Sequence, residues 1–176
     1  RVNTHTGHTQ RNPEVTSLED GSYVITWGSR YQDAGSSYGV YGQHYSAAGE
    51  PQGDEFQVHT TIDDDQYDPS IASLDDGGFV VTWRDDNGAT DSREGSGVDV
   101  FGQRFDANSV KVGDEFLINA GADTGSQYEP SVAGLGNGQF VVTWRDSQGS
   151  SHDKSGDDAT TGSGEDVRAQ IFTTKD

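Results

Sequence analysis

The sequence contains no cysteine and no methionine, and only four of its 176 residues are proline. The missing cysteine excludes disulfide bonds and thiolate metal sites, and the missing methionine removes the other sulfur that oxidises readily. Basic residues are also scarce, with 11 lysines and arginines against 30 acidic residues and a formal net charge of -19. Because such a surface repels phosphate backbones, we expect no nucleic-acid partner.

Long apolar runs are absent as well. No stretch of about 18 apolar residues occurs, so the sequence predicts no membrane insertion. The chain starts at Arg1 without a signal-peptide-like segment, which we interpret as a mature form or an excised segment. The absence of both cysteine and methionine suits a secreted or cell-surface protein that does without disulfides, and this is the expected localisation.

What the sequence does have is an internal repeat. One segment begins with proline, passes through a short turn and ends with tryptophan, and it occurs at residues 13–27, 69–83 and 130–144. The interval from proline to tryptophan is the same in all three copies. A constant interval across alternating apolar residues predicts a rigid β-hairpin in each repeat.

Further strands complete the repeat unit. A third strand follows at 40–45, 100–105 and 167–172, and a fourth at 55–59 and 115–119. The third repeat lacks its own fourth strand, and residues 1–5 stand at the matching offset before the first proline. We therefore expect a single repeat domain over residues 1–176, with repeats at about 10–65, 66–126 and 127–176, the last completed by a strand at 1–5.

This pattern predicts an all-β fold of three four-stranded repeats, similar to a β-propeller. Apolar residues at consecutive positions, as in Val-Val-Thr-Trp, favour sheets that are covered on both faces. Three blades are fewer than the roughly four to eight usual in propellers. Three arrangements remain open: a homodimer that forms a six-bladed ring with exchanged terminal strands, a segment of a larger propeller, or another threefold fold such as a β-trefoil or β-prism.

The repeat also resembles a known group of proteins. The order Asp-Gly-Gly-Phe-Val-Val-Thr-Trp at 76–83, Val-Phe-Gly-Gln-Arg-Phe-Asp at 100–106 and Gly-Asp-Glu-Phe-Leu-Ile-Asn at 113–119 resembles repeats of large secreted bacterial calcium-binding adhesins and exoproteins. It is also similar to the blades of sialidase-like β-propellers, although the sialidase Asp-box is kept only loosely. The resemblance implies secretion, calcium binding and a role in adhesion.

Carboxylates concentrate around the loops between the second and third strands, which lengthen from repeat to repeat. In the second repeat Asp85 and Asp99 flank this loop, and in the third Asp146 and Asp166 do so. If those strands are antiparallel neighbours, each pair converges at the mouth of its loop. The alternative is that these residues are turn formers whose charges stay solvated.

Calcium binds six to eight oxygens from carboxylates, carbonyls and water, so it is the cation that these loops favour. No EF-hand loop is present. The first repeat has Ser29 and Gly39 at the corresponding positions and should bind poorly. The predicted calcium ligands are Asp85, Asp86, Asn87, Asp91, Asp99, Asp146, Asp153, Asp157, Asp158 and Asp166.

Aromatic residues fall into two groups. The three tryptophans end equivalent strands and are expected to be core anchors. Four tyrosines lie near the loops and are better suited to contact a carbohydrate: Tyr31, Tyr38, Tyr67 and Tyr128.

The sequence favours binding over catalysis. Arg84, Arg104 and Arg145 could be compared with a sialidase arginine cluster, yet Arg84 and Arg145 occupy the same place in successive repeats. A catalytic centre needs different residues that converge once. We expect a calcium-stabilised extracellular module that binds a carbohydrate or another cell-surface ligand. The alternatives are a subunit or fragment of a polysaccharide-acting hydrolase or lyase, and a structural spacer of a large adhesin.

Overall fold

A computed structural model describes residues 1–33, 38–62, 64–86, 97–120, 125–148 and 165–174. Within these ranges the chain forms β-strands and no helix. The strands are β1 (Gln10–Ser17), β2 (Tyr23–Arg30), β3 (Tyr38–Tyr45), β4 (Phe56–Gln57), β5 (Asp65–Ser73), β6 (Phe79–Asp86), β7 (Asp99–Phe105), β8 (Lys111–Leu117), β9 (Gly125–Gly136), β10 (Gln139–Gln148) and β11 (Glu165–Thr173). In this part of the chain no helix is long and apolar enough to cross a membrane.

The strands form three antiparallel sheets, one for each repeat. Sheet 1 has the order β1-β2-β3-β4, sheet 2 the order β5-β6-β7-β8, and sheet 3 the order β11-β10-β9. Each sheet is a meander in which neighbouring strands follow one another in the sequence. The prediction of an all-β fold with propeller-like blades is confirmed.

Each first strand carries a β-bulge at the residue before the repeated proline. Asn12, Asp68 and Glu129 occupy this position with φ angles of 50°, 51° and 54°. Proline has no N–H and cannot donate to the strand ladder. The bulge shifts the register at this point, so the pairing resumes beyond the proline.

Two hydrophobic cores lie between successive sheets. We call the face of a sheet that packs on the next sheet its forward face, and the opposite face its rear face. Between sheets 1 and 2 the forward face supplies Val24 and Val40, and the rear face supplies Phe79, Val81 and Trp83. The core between sheets 2 and 3 uses the equivalent positions one repeat further along, among them Val80, Val100, Phe140, Val142 and Trp144.

The prediction that the tryptophans are core anchors is confirmed by their burial, and Trp83 and Trp144 belong to the two cores. Trp27, Trp83 and Trp144 are exposed by 4%, 0% and 5%. Successive residues of the second strand point to opposite faces of the sheet, and in sheet 2 both faces are covered by a core. This explains why Val-Val-Thr-Trp is apolar at consecutive positions.

Sheet 3 differs from the prediction because the described residues give it three strands rather than four. Residues 1–9 form no strand. They lie beside sheet 1, where the Tyr45 hydroxyl donates to the Val2 carbonyl at 3.4 Å and the Thr4 N–H donates to the Glu55 carboxylate. Because sheet 2 separates sheet 1 from sheet 3, residues 1–5 do not complete sheet 3 within one chain.

Candidate functional site

Four arginines and four tyrosines alternate along one end of the three sheets, where the second and third strands of each sheet are joined. We call this set the Arg–Tyr strip. Its members are Arg11, Arg30, Arg84, Arg145, Tyr31, Tyr38, Tyr67 and Tyr128. The strip contains all four tyrosines that the sequence predicts as ligand contacts.

The first half of the strip joins sheet 1 to sheet 2. The Arg11 guanidinium carbon lies 4.0 Å from the centre of the Tyr38 ring and 4.7 Å from that of Tyr67. Arg30 lies 4.6 Å from the Tyr31 ring and 5.6 Å from the Tyr38 ring. These separations are within the range of cation–π attraction.

The second half continues from sheet 2 to sheet 3. The Arg84 guanidinium carbon lies 4.7 Å from the Tyr67 ring centre and 5.4 Å from that of Tyr128. Arg145 lies 5.0 Å from the Tyr128 ring centre. Arg84 is therefore held between two aromatic rings that belong to successive sheets.

Strand register explains how the repeat builds the strip. Tyr67 pairs with Arg84 across sheet 2, and Tyr128 pairs with Arg145 across sheet 3. In sheet 1 the equivalent pair is Arg11 with Gly28, so an arginine stands where the other repeats have tyrosine. We did not predict Arg11 or Arg30, although the position of Arg11, two residues before the proline, was a usable signal.

Nearby carboxylates hold the arginines in place. Arg84 Nη1 lies 3.5 Å from an Asp68 oxygen, and Arg145 Nη1 lies 3.2 Å from a Glu165 oxygen. Burial, followed by a hydrogen bond to Asp65, raises the pKa of the Tyr67 hydroxyl. The side chains of Arg84 and Arg145 remain 23% and 36% exposed. The strip therefore offers half-buried aromatic faces and positioned N–H donors to a ligand.

The predicted carboxylate pairs are brought together beside the strip. Asp85 faces Asp99 across β6 and β7, and Asp146 faces Asp166 across β10 and β11. Asp85 and Asp99 are both buried, with exposures of 4% and 6%. Asp166 is exposed, so only the pair in sheet 2 is enclosed.

Asp85 is the member of the enclosed pair with fewer hydrogen-bond partners among the described residues. Its Oδ1 atom has no hydrogen-bond partner within the described part of the chain. Burial raises the pKa of Asp85 to about 7, with smaller contributions from the charges of Glu115, Asp64 and Asp99. Asp99 accepts a hydrogen bond of 2.8 Å from the Asn119 amide.

In sheet 3 the buried member of the pair already has a positively charged partner. Asp146 is 2% exposed and forms an ion pair with the Arg168 guanidinium. The Gln127 amide also donates to it, at 3.3 Å. A bound cation would have to displace these donors, so this pair fits calcium less well than Asp85 and Asp99 do.

The other predicted calcium ligands are not gathered into a cluster. Asp86 is half-buried and faces Asp65 across β5 and β6. Five predicted ligands lie outside the described residues: Asn87, Asp91, Asp153, Asp157 and Asp158. Where the structure is described, no group of three or more histidine, aspartate or glutamate residues is placed to hold a metal ion.

Sheet 1 fills the same place with different residues. His59 Nε2 lies 3.4 Å from Asp33, and both side chains are buried. A Cβ atom added to Gly39 would lie 2.6 Å from that Asp33 carboxylate, so Asp33 occupies the space that an aspartate side chain takes in sheet 2. Burial lowers the pKa of His59. We did not predict His59 or Asp33, because neither is conspicuous in the sequence.

Buried amides were also missed. Gln66 and Gln127 each lie three residues before a repeated proline and are 0% and 1% exposed. Asn119 donates to Gln127 at 3.0 Å and so links sheet 2 to sheet 3. Their constant distance from the proline was the available signal.

Comparison with known proteins supports the fold. No protein-family model matches the sequence, and no curated protein matches it. The structure is similar to the solved structure of the Hadza microbial sialidase Hz136, with a TM-score of 0.59 and 14% sequence identity. The match covers 78% of this chain and 32% of the sialidase, so the chain spans about a third of that protein's length. This likeness shows a sialidase-like β fold, while the resemblance to calcium-binding adhesin repeats stays a prediction.

Proposed function

We propose that this chain is a calcium-stabilised extracellular binding module, and that its Arg–Tyr strip binds carbohydrate. The observation that carries the proposal is the strip itself. Four of the 11 basic residues of a chain with net charge -19 alternate there with tyrosine rings across three sheets. In an otherwise acidic protein, guanidinium groups gathered on one aromatic surface form a site that favours an oxygen-rich ligand.

The chemistry of the strip suits a saccharide. Tyrosine rings provide rigid apolar faces against which the C–H groups of a sugar ring can pack. Guanidinium groups donate paired hydrogen bonds to hydroxyl or carboxylate oxygens. Because Arg84 and Arg145 are ordered by Asp68 and Glu165, little side-chain freedom is lost on binding.

The calcium part of the proposal rests on Asp85 and Asp99. Two buried carboxylates that face each other are costly unless a proton or a cation lies between them. Calcium accepts oxygen ligands in flexible numbers, and Asp85 Oδ1, which has no hydrogen-bond partner among the described residues, is available to it. Bound calcium would also reduce the self-repulsion of the acidic chain.

A glycan array followed by isothermal titration tests the binding proposal. The array identifies a saccharide, and titration then compares Arg84→Ala with Arg104→Ala, which removes the same charge outside the strip. Arg104 contacts Asp76 and the Thr174 carbonyl instead. We expect Arg84→Ala to weaken binding by roughly ten-fold or more, as for the loss of a charged hydrogen bond, and Arg104→Ala to bind like the unchanged protein.

Circular dichroism must first show that both variants are folded. Equal weakening by the two substitutions, or an array without any bound saccharide, would contradict the proposal. Release of reducing sugar from a bound polysaccharide would instead favour the hydrolase alternative. Titration with Ca²⁺, beside melting curves with and without EDTA, tests the calcium part, because a bound ion raises the melting temperature.

A further inference from the structure

The forward face of sheet 3 is apolar and uncovered. Val167, Ile171 and Leu135 are exposed by 84%, 59% and 47%. Val167 is equivalent to Val40 in sheet 1 and Val100 in sheet 2, and both of these are fully buried, at 0%. Val167 therefore occupies a position that is part of the hydrophobic core in the other two sheets. In sheet 3 no described residue covers it.

The rear face of sheet 1 is open at Val15, although Trp27 and Tyr45 on the same face are buried, with exposures of 4% and 7%. Val15 is 62% exposed, whereas its equivalents Ile71 and Val132 are 8% and 9% exposed. Those two equivalents are buried against the forward face of the preceding sheet. The chain thus buries a forward face against a rear face twice, and among the described residues the forward face of sheet 3 and the part of the sheet 1 rear face around Val15 remain uncovered.

The edge of sheet 3 is open as well. In sheets 1 and 2 the residue after the fourth strand donates to the third strand, from Val58 N–H to the Val40 carbonyl at 2.9 Å and from Ile118 N–H to the Val100 carbonyl at 2.8 Å. The equivalent acceptor in sheet 3 is the carbonyl of Val167. Its strand, β11, is an unpaired edge in the described structure, which is a ready template for another strand.

The N-terminal segment has the matching donor. Val2 precedes the first proline at the offset that Val58 has before the second. The two segments also make the same contact with the sheet that follows them: Thr4 N–H donates to Glu55, and Thr60 N–H donates to Glu115 at 2.7 Å. Residues 2–4 therefore already lie on sheet 1 as the end of a preceding sheet's fourth strand would.

We propose that a second copy of this chain covers the forward face of sheet 3. Its sheet 1 packs there through the rear face, and its Val2 N–H donates to the Val167 carbonyl. The same contact in the other direction closes a two-fold ring of six sheets, a number within the roughly four to eight found in propellers. The contact continues the packing that already joins sheets 1, 2 and 3 inside the chain.

Sedimentation velocity of the full chain tests the assembly across a wide concentration range. We expect the mass of two chains for the unchanged protein and for Val110→Glu, and the mass of one chain for Val167→Glu. Val110 is a matched control because it is 59% exposed and lies in the turn between β7 and β8. Since Val167 is 84% exposed, its substitution leaves the fold of the single chain intact.

Disulfide cross-linking tests which surfaces of the two chains meet. Because the chain has no native cysteine, only the introduced cysteines can form a disulfide. Directly opposed residues of two antiparallel strands lie about 4.5 to 5.5 Å apart, which is close enough for a disulfide. We expect Val2→Cys and Val167→Cys to form a disulfide-linked dimer when the two single variants are mixed and oxidised, and neither variant to do so alone.

Three results would overturn the proposal. One is the mass of a single chain at every concentration, which leaves the face to a different partner. Another is an open series of larger species, which shows that the contact does not close. The third is cross-linking between identical positions, which shows that other surfaces meet.

Discussion

Asp85 and Asp99 lie directly opposite each other on adjacent strands, and both are almost completely buried. Burial favours the neutral form of a carboxyl group, and the negative charge of Glu115 adds to this effect more than that of the facing Asp99. The pKa of Asp85 is accordingly raised from 3.8 to about 7. Asp85 therefore takes up a proton near neutral pH unless a cation replaces it.

Replacing Asp85 with asparagine should change how stability depends on pH. Because the folded-state pKa exceeds the unfolded-state value, protonation stabilises the fold. This contribution is complete below about pH 4 and is lost as the pH rises through about 7. In calcium-free buffer, Asp85→Asn should be more stable than the unchanged protein at pH 8, by on the order of a few kcal/mol, and the advantage should shrink towards pH 5.

Denaturant titrations from pH 5 to pH 8 measure this difference. The contribution of His59, whose pKa is lowered by burial, is present in both proteins and cancels. Asp54→Asn serves as a control, because it removes one exposed carboxylate. A constant difference between the unchanged protein and Asp85→Asn at all pH values would contradict the raised pKa.

Asp146 should respond in the opposite way, although it occupies the same place in sheet 3. It is paired with Arg168 and accepts from the Gln127 amide. Asp146→Asn removes the ion pair and leaves the guanidinium without its charge partner, so it should lower the stability in calcium-free buffer at pH 8. Thermal melting of both variants checks the contrast, and a higher melting temperature for Asp146→Asn would show that Arg168 does not neutralise it.

The hydrophobic repeat made the fold predictable. The number of strands in the last sheet could not be predicted from it. The hairpin that ends in Trp83 recurs at one interval because each sheet buries the same positions against the next. The offset of Val2 predicted a fourth strand at residues 1–5, but these residues form no strand in the structure. An offset does not tell which sheet, in which chain, that segment completes, and the described structure places it beside sheet 1.

Only part of the candidate site could be found in the sequence. The loop position of the tyrosines suggested Tyr67 and Tyr128 as ligand contacts, and the structure places both rings in the strip, while their role in binding stays a prediction. Arg11 was missed because it stands where the other repeats have tyrosine. Its contact with Tyr67 depends on the stacking of sheet 1 on sheet 2, which the sequence does not show. Arg168 was missed as the partner of Asp146 because the two are joined by strand pairing across a long loop.

The tyrosine rings of the strip should matter more for binding than their hydroxyl groups. Tyr128 lies between Arg84 and Arg145. Tyr128→Phe keeps the ring face, and Tyr128→Leu removes it. Once the array has identified a saccharide, titration should show nearly unchanged affinity for the first variant and a loss of roughly three- to ten-fold for the second, as for about 1 kcal/mol of aromatic contact. Equal losses would assign the contact to the hydroxyl group.

Gly102 should be intolerant of even one added methyl group. A Cβ atom there would lie 2.9 Å from Phe116 Cζ and 3.2 Å from Ile118 Cδ1. The Phe116 ring cannot move away freely, because it packs on Phe140 and Phe172 in the core between sheets 2 and 3. We expect Gly102→Ala to lower the free energy of unfolding by about 1–3 kcal/mol, the usual cost of overpacking.

Gly28→Ala provides the matched control for this prediction. Gly28 also lies inside a strand, but an added Cβ atom would meet its nearest neighbours at 3.7 Å, an ordinary contact distance. Alanine restricts the unfolded chain more than glycine does, so this substitution should be neutral or stabilise the protein by up to about 1 kcal/mol. Urea titration measures the free energy of unfolding of both variants. A similar decrease for Gly102→Ala and Gly28→Ala would mean that Phe116 does not require glycine at position 102.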